Sequence, residues 1–381
     1  MSRLKMPARI LFVTLLAAGV VWLHWRFVVT PLDYANKDFM SLWTGGKALW
    51  RGLNPYDPAV WGPLRAEYGS RWFPDPRAPF PLWTFLLTAP FALLPLPWAA
   101  AAWLTFGEGL LALSLFWLLR ERERATLAPV DLGLLVVGAF LSPATILALI
   151  NGQLTFVLLA CLALGVVYAG RGEEGRAGIF LAAILLKPNP FILFAPLLGL
   201  WLLWQRRWRT IAAALLTTIV LFLITWLIQP GWLFDWLNVT EKAAVVTITP
   251  TLWGLAAEWG GSAWWLVGLL LTIALTAGVG LAVFRPPRLP DAAVYALALA
   301  ASLLVTPYVW TYEHVLLYLP WTAWYARQSS AGRARLGWLA QTLLVPWVVF
   351  LLAVVRVNDV YGLVVPLLTL LVEVGGMRYE V

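Results

Sequence analysis

A polytopic, all-α membrane bundle is the fold class this sequence predicts, and three observations carry the prediction. Hydrophobic residues make up 61% of the 381-residue chain and charged residues only 12%, against ~25% charged in a soluble domain. Apolar segments of roughly 17 to 22 residues recur, long enough to span as helices and too continuous for the alternating strands of an outer-membrane barrel. The formal charge of +8 is spread over short loops between those segments. This is the pattern that keeps basic loops cytoplasmic, and it argues for membrane lipids and against nucleic acid as partners.

The first apolar run, Ile10 to Val29, follows Arg3, Lys5 and Arg9 as a signal peptide would. It lacks a small-residue cleavage site before polar sequence, so it is expected to remain as the first span. The whole chain, 1–381, reads as a single multi-pass domain of a plasma or inner membrane with both termini cytoplasmic.

Its opening outer loop, about residues 30–79, holds DYANKDFMSLWTGGKALWRGLNPYDP. Phe39, Leu42, Trp43, Leu49 and Trp50 fall on helical spacing, with Asp38, Ser41, Gly45 and Arg51 on the other side, which predicts an amphipathic helix lying on the membrane surface. Asn54, Pro55 and Asp57-Pro58 predict a turn, with Asp57 as N-cap and Pro58 as first residue of a second short helix to about Tyr68.

The region Phe80 to Leu119 is divided by Pro90, Pro95 and Pro97. Further candidate spans are Leu132 to Leu149, Leu154 to Ala169, Ala177 to Leu186, Phe191 to Trp204, Ile211 to Ile228, Trp264 to Phe284, Ala292 to Thr306, Val309 to Trp324, Leu336 to Val355 and Leu363 to Val372. Basic loops at Arg120 to Arg124, Arg171 to Arg176, Arg206 to Arg209, Arg285 to Arg288 and Arg327 to Arg335 are assigned inside. Two crossings between Phe80 and Leu119 break the inside–outside parity, so one half is expected to be re-entrant or tilted, leaving about twelve crossings. The short, Pro-ended Ala177 to Leu186 segment is the rival site for that irregularity. No repeat of constant spacing is evident, which disfavours an inverted-repeat transporter.

This assignment collects the uncommon polar residues on the outer face. Lys187, between two apolar segments, costs roughly 2.5 to 3.5 kcal/mol at mid-bilayer unless it meets an anion, water or the interface. It is either a phosphate ligand or a snorkelling cation at a helix end ahead of Pro188. His314, in the cluster Tyr308 to His314, is either a second phosphate partner or a satisfied bundle histidine, with Glu313 free to orient or pair with it. Asn151 and Gln153 either cap their hairpin or bind hydroxyls. Glu108 faces the bundle interior, as a structural bond or a proton-relay group. Trp43, Trp50, Trp61 and Trp72 share the opening loop with Asp38 and offer faces for sugar rings. Asp38 itself is either a helix N-cap or a general base for a hydroxyl nucleophile, with Asp33 and Asp57 as competing acids.

Absences narrow the chemistry. The sequence has no Asp-x-Asp pair of the metal-clamping type, and Gly45-Gly46-Lys47-Ala48 lacks the outer residues of a phosphate-binding loop. There is no zinc or serine-hydrolase motif. Cys161, the single cysteine, can form no intrachain disulfide and reads as a small buried hydrophobe.

Asp38-Phe39 with Trp43, Gly52-x-Asn54-Pro55-Tyr56, Asn151-Gly152-Gln153, Lys187-Pro188 and Pro307 to His314 together form a pattern that resembles glycosyltransferase family 87. The resemblance covers most of the chain. It implies a GT-C fold and a cofactor-free, inverting transfer of a sugar, mannose above all, from a polyprenyl-phosphate donor to a lipid or glycan acceptor. It implies Asp38 as the catalytic base and Lys187 and His314 as contacts to the lipid phosphate. Trp43, Tyr56, Asn151, Gln153, Tyr312 and Glu313 are then candidates for substrate contact. The alternative is a proton-coupled transporter relaying through Asp38, Glu108 and His314.

Overall fold

The computed structural model describes residues 6–71, 78–120, 128–241, 248–285, 289–328 and 330–377, and among them every regular element is helical. Trp72 and Arg122 lie outside the described residues. Among the described residues, five helices have the length and apolarity to cross a bilayer: Leu11–Leu32, Leu96–Arg120, Trp208–Ile228, Gly261–Phe284 and Ala331–Arg356. A sixth span is available if Pro129–Phe140 and Pro143–Asn151, bent by 52°, act together. The break falls before Pro143, whose ring disfavours helical backbone at the residue ahead of it. Thr155–Gly170, Phe194–Trp204 and Asp291–Val305 are apolar but shorter. The expected twelve crossings are thus not matched by spanning-length helices among the described residues.

The shortfall has a physical cause, because several apolar runs owe their character to protein burial. Every residue from Ala293 to Val305 is buried, so that run satisfies a protein core whatever it would do in lipid. Ala177 to Leu186 divides into Glu174–Leu181 and a 3-10 stretch, Ala182–Leu186. Between Phe80 and Leu119, Leu82–Thr88 is a helix of 7 residues, about 10 Å long against a ~30 Å hydrocarbon core, and of the two halves only Leu96–Arg120 has spanning length.

The chain forms two compact units. The first comprises Met1–Gly109, Leu149–Gln153 and Leu221–Ala243. Here Asp57 caps the Pro58–Glu67 helix as expected, accepting from Ala59 N at 2.8 Å. The Phe39–Trp50 helix departs from expectation. Of its expected polar side, Asp38 and Arg51 are exposed, but Ser41 and Gly45 are buried, as are Thr44 and Gly46 beside Phe39, Leu42 and Trp43, because the two glycines admit the Leu82–Thr88 segment. A Cβ on Gly45 would stand 2.0 Å from the Phe85 ring, and one on Gly46 would stand 2.9 Å from Ala89 Cα. Small residues serve here as a close-packing face. Trp43 Nε1, Lys47 Nζ and Trp50 Nε1 donate to the carbonyls of Leu94 (3.1 Å), Ala92 (3.2 Å) and Ala89 (2.6 Å), satisfying acceptors that a short helix leaves open. The helix expected to be amphipathic thus packs against its neighbour through its small residues and leaves Asp38, Trp50 and Arg51 exposed.

The second unit comprises Leu110–Ala148, Leu154–Val220 and Ala244–Val381. Asp291–Val305 is its centre, packed by Phe194–Trp204, Trp264–Phe284, Tyr318–Arg327 and Val364–Met377. Ser302 Oγ accepts from the amides of Leu193 and Phe194, each at 3.1 Å, and Thr306 Oγ1 donates to the Asn189 carbonyl at 2.7 Å. The Lys187-Pro188-Asn189 stretch is thereby tied to the centre of the unit. Several arginines of the basic loops have local partners: Arg207 with Asp291 (2.6 Å), Arg327 with Glu373 (2.5 Å) and Arg335 with Asp131 (2.6 Å).

Candidate functional site

In the first unit, the residues around Asp38 are fixed by a turn far away in sequence. Gly152 has φ +64°, and a Cβ there would lie 2.5 Å from Phe39 Cβ, so both conformation and space require glycine. Trp103 Nε1 donates to the Gly152 carbonyl at 3.0 Å, and Tyr34 Oη donates to the Leu149 carbonyl at 2.7 Å. The turn so held delivers buried Gln153, whose Nε2 donates to Asp38 Oδ2. Asp38 occupies the N-cap position of Phe39–Trp50 but makes no side-chain cap hydrogen bond. Its side chain is exposed. Of the two roles open to it from sequence, capping is not the one its carboxylate performs.

Gly152→Ala is expected to destabilise the protein by about 1–3 kcal/mol and to displace Gln153 from Asp38. Thermal unfolding of the purified variant checks it, and wild-type stability would show that the turn tolerates a side chain.

Other sequence-selected residues of this unit sit elsewhere. Trp43 is 1% exposed, edge-on to Tyr68, and Tyr56 is 4% exposed with its hydroxyl on the Phe80 carbonyl at 2.8 Å. Neither ring has a face for a sugar. Trp61 is fully buried, whereas Trp50 is exposed. Asn151 is half-buried in the Pro143–Asn151 helix. Glu108 accepts from His24 at 3.1 Å, and His24 Nδ1 is 3.0 Å from Thr105 Oγ1. Glu108 thus makes the interhelical bond the sequence allowed for, to a histidine that sequence reasoning passed over.

In the second unit, Lys187 Nζ pairs with Glu313 Oε1, and both side chains are buried. Thr155 Oγ1 donates to Glu313 Oε2 at 3.2 Å, and Nζ lies 5.2 Å from the centre of the Tyr312 ring. Burial of an ion pair is tolerable only with such added contacts. Lys187 is therefore no snorkelling cation. Glu313 serves Lys187 and not His314. His314 is 1% exposed with Nε2 making no hydrogen bond, and it lines a cavity of about 10 Å³ with Ser142, Thr311 and Asp359. An imidazole so enclosed presents no exposed face to a lipid phosphate.

Asp359 is the second residue that sequence reasoning missed. It accepts from Thr311 N at 3.1 Å and Thr311 Oγ1 at 2.7 Å, anchoring the Thr311–Leu317 turn that carries Tyr312, Glu313 and His314. The only signal was an acid in the short polar stretch Val357-Asn358-Asp359. Burial pushes its carboxyl up to about 6, against the opposing pull of the two Thr311 hydrogen bonds. An unfolded Asp titrates near ~3.9, so the folded state binds the extra proton between those values. The associated stability is complete below about pH 4 and is lost as pH rises through about 6. Asp359→Asn keeps an acceptor for Thr311, so it should flatten the stability slope across pH 4–6 without weakening the fold at pH 7. An unchanged slope in thermal unfolding would remove Asp359 as its source.

An all-α chain with spanning apolar helices, an ordered exposed carboxylate and a buried lysine–glutamate pair is a polytopic membrane protein equipped for polar chemistry. Residues 79–307, more than half of the chain, match glycosyltransferase family 87, and the chain belongs to that family. It is a membrane glycosyltransferase. Asn151, Gln153 and Lys187 fall within the matched stretch, whereas Asp38, Trp43, Tyr56, Tyr312, Glu313 and His314 fall outside it. No curated protein matches the chain.

Proposed function

We propose that this glycosyltransferase moves a sugar, mannose in the first instance, from a polyprenyl-phosphate donor to a hydroxyl of a lipid or glycan acceptor at the outer membrane face, with inversion. Asp38 takes the acceptor proton as the oxygen attacks the anomeric carbon. The bond to the lipid phosphate breaks as the new glycosidic bond forms, and Lys187 offsets the charge on the departing phosphate. Glu313 and Tyr312 hold Lys187, Gln153 orients Asp38, and His314 packs the turn that bears Glu313.

The observation that carries this reading is the state of Asp38. It is an exposed carboxylate that makes no cap hydrogen bond to the helix it precedes, and the Gln153 side-chain amide donates to its Oδ2. The testing experiment is transfer from radiolabelled polyprenyl-phosphate-mannose to membrane lipids, wild type against Asp38→Asn, with and without chelator. Transfer by the wild type should persist in excess chelator, because the sequence has no Asp-x-Asp clamp and Lys187 supplies the cation. A requirement for added Mg²⁺ or Mn²⁺ would reassign the electrophilic group.

A further inference from the structure

We propose that a cavity beside the end of the first span is the acceptor site, and that it takes a neutral polyhydroxylated head group, a sugar or polyol, whose hydroxyl donates to Asp33. The inference rests on the transferase reading and deepens it. The cavity holds about 460 Å³, within the ~300–1,000 Å³ of small-molecule sites. Trp25 and Tyr68, both half-buried, contribute aromatic walls, and Tyr34, Pro95 and Pro97 also line it.

Two elements converge on it, the end of the first span and Asp33. The first span relaxes into a π-helical turn at Trp25–Val29, a distortion that recurs at functional sites. Asp33, another lining residue, has φ +49°, a left-handed conformation that Asp adopts more readily than most residues. Its Oδ2 accepts from Asn36 Nδ2 at 2.7 Å, while Oδ1 has no partner among the described residues.

The chemistry of the lining selects among occupants. A carboxylate repels a lipid phosphate, so the anionic donor is excluded. An alkyl tail would cover Oδ1 without satisfying it, at the cost of an unpaired polar group. A sugar satisfies both surfaces, with its C–H faces on the aromatic rings and a hydroxyl on Asp33. The cavity is also coupled to Asp38, because Tyr34 holds the Leu149 carbonyl and the same turn presents Gln153 to Asp38.

The test uses the full chain in lipid nanodiscs and an octyl mannoside bearing a diazirine, with diazirine-bearing octanol as the sugar-free control. The sugar probe should label peptides containing residues 25–35 and 95–97, with excess methyl mannoside suppressing the label. Ala35→Trp, which fills the cavity, and Asp33→Asn should each weaken labelling by about 10-fold or more, the scale of a lost hydrogen bond to a charged group. Each should raise the acceptor KM by a similar factor. Equal labelling of these peptides by the octanol probe would mean that the site holds a lipid tail, and labelling that survives both variants and methyl mannoside would also overturn the proposal. Should Ala35→Trp fail to fold, Asp33→Asn and the competition decide alone. Because labelling reports binding directly, a wild type that labels but transfers nothing would count against the transferase reading and leave the cavity assignment standing.

Discussion

Asp38→Asn is expected to reduce single-turnover sugar transfer by about 10²- to 10⁴-fold, the usual contribution of a positioned general base. The substitution is close to isosteric and costs little in stability. Asp38 makes no cap hydrogen bond to the Phe39–Trp50 helix, and Asn is in any case as good an N-cap, so unfolding should shift by no more than a few tenths of a kcal/mol. Gln153 can still donate to the side-chain oxygen of Asn. What disappears is the ability to accept a proton. Asp38→Glu keeps that ability but displaces it by one methylene, and should fall between the two. Donor binding, measured separately with labelled polyprenyl-phosphate-mannose, should be little changed in Asp38→Asn. Near-wild-type turnover would end the assignment of Asp38 as base. Asp57 is already committed to Ala59 N, so Asp33 would then be the next acid to test.

The sequence made some of this legible and hid the rest for identifiable reasons. The first span, the Asp57 cap and the Trp264–Phe284 helix follow from apolar run length and capping chemistry, which are local. In the Phe39–Trp50 helix, Gly45 counts toward a polar face in a periodicity argument, whereas in the helix pair it and Gly46 form the contact face. Asp291–Val305 reads as a span because a fully buried core helix and a lipid-facing one have the same composition. The partners of His24 and Lys187 could not be read at all. His24 meets Glu108 at a separation of 84 residues, and no pattern of period two or 3.6 encodes such a pairing. Asp38 with Gln153 was half legible: both were singled out, but only the Gly152 turn shows that one orients the other.

The Lys187–Glu313 pair gives the second large effect, and it must be tested in a way that separates electrostatics from folding. Lys187→Ala alone is expected to abolish transfer, but it also strands Glu313, whose side chain is 1% exposed, and an uncompensated buried charge costs about 3–5 kcal/mol. Loss of activity in that variant therefore says little about phosphate. The informative variant is Lys187→Met with Glu313→Gln, which removes both charges at similar volume and leaves Thr155 a hydrogen-bond acceptor. Exchange of a buried pair for neutral groups is often neutral or stabilising, so its thermal unfolding should lie near that of the wild type. If Lys187 offsets charge on the departing phosphate, the refolded double variant should still lose transfer by about 10²- to 10³-fold, the scale for one preorganised electrostatic partner, and should bind the lipid-phosphate donor more weakly. If the pair only holds the Thr311–Leu317 turn to its surroundings, transfer should recover together with stability. Recovery of both in the same purified protein would take Lys187 out of the chemistry.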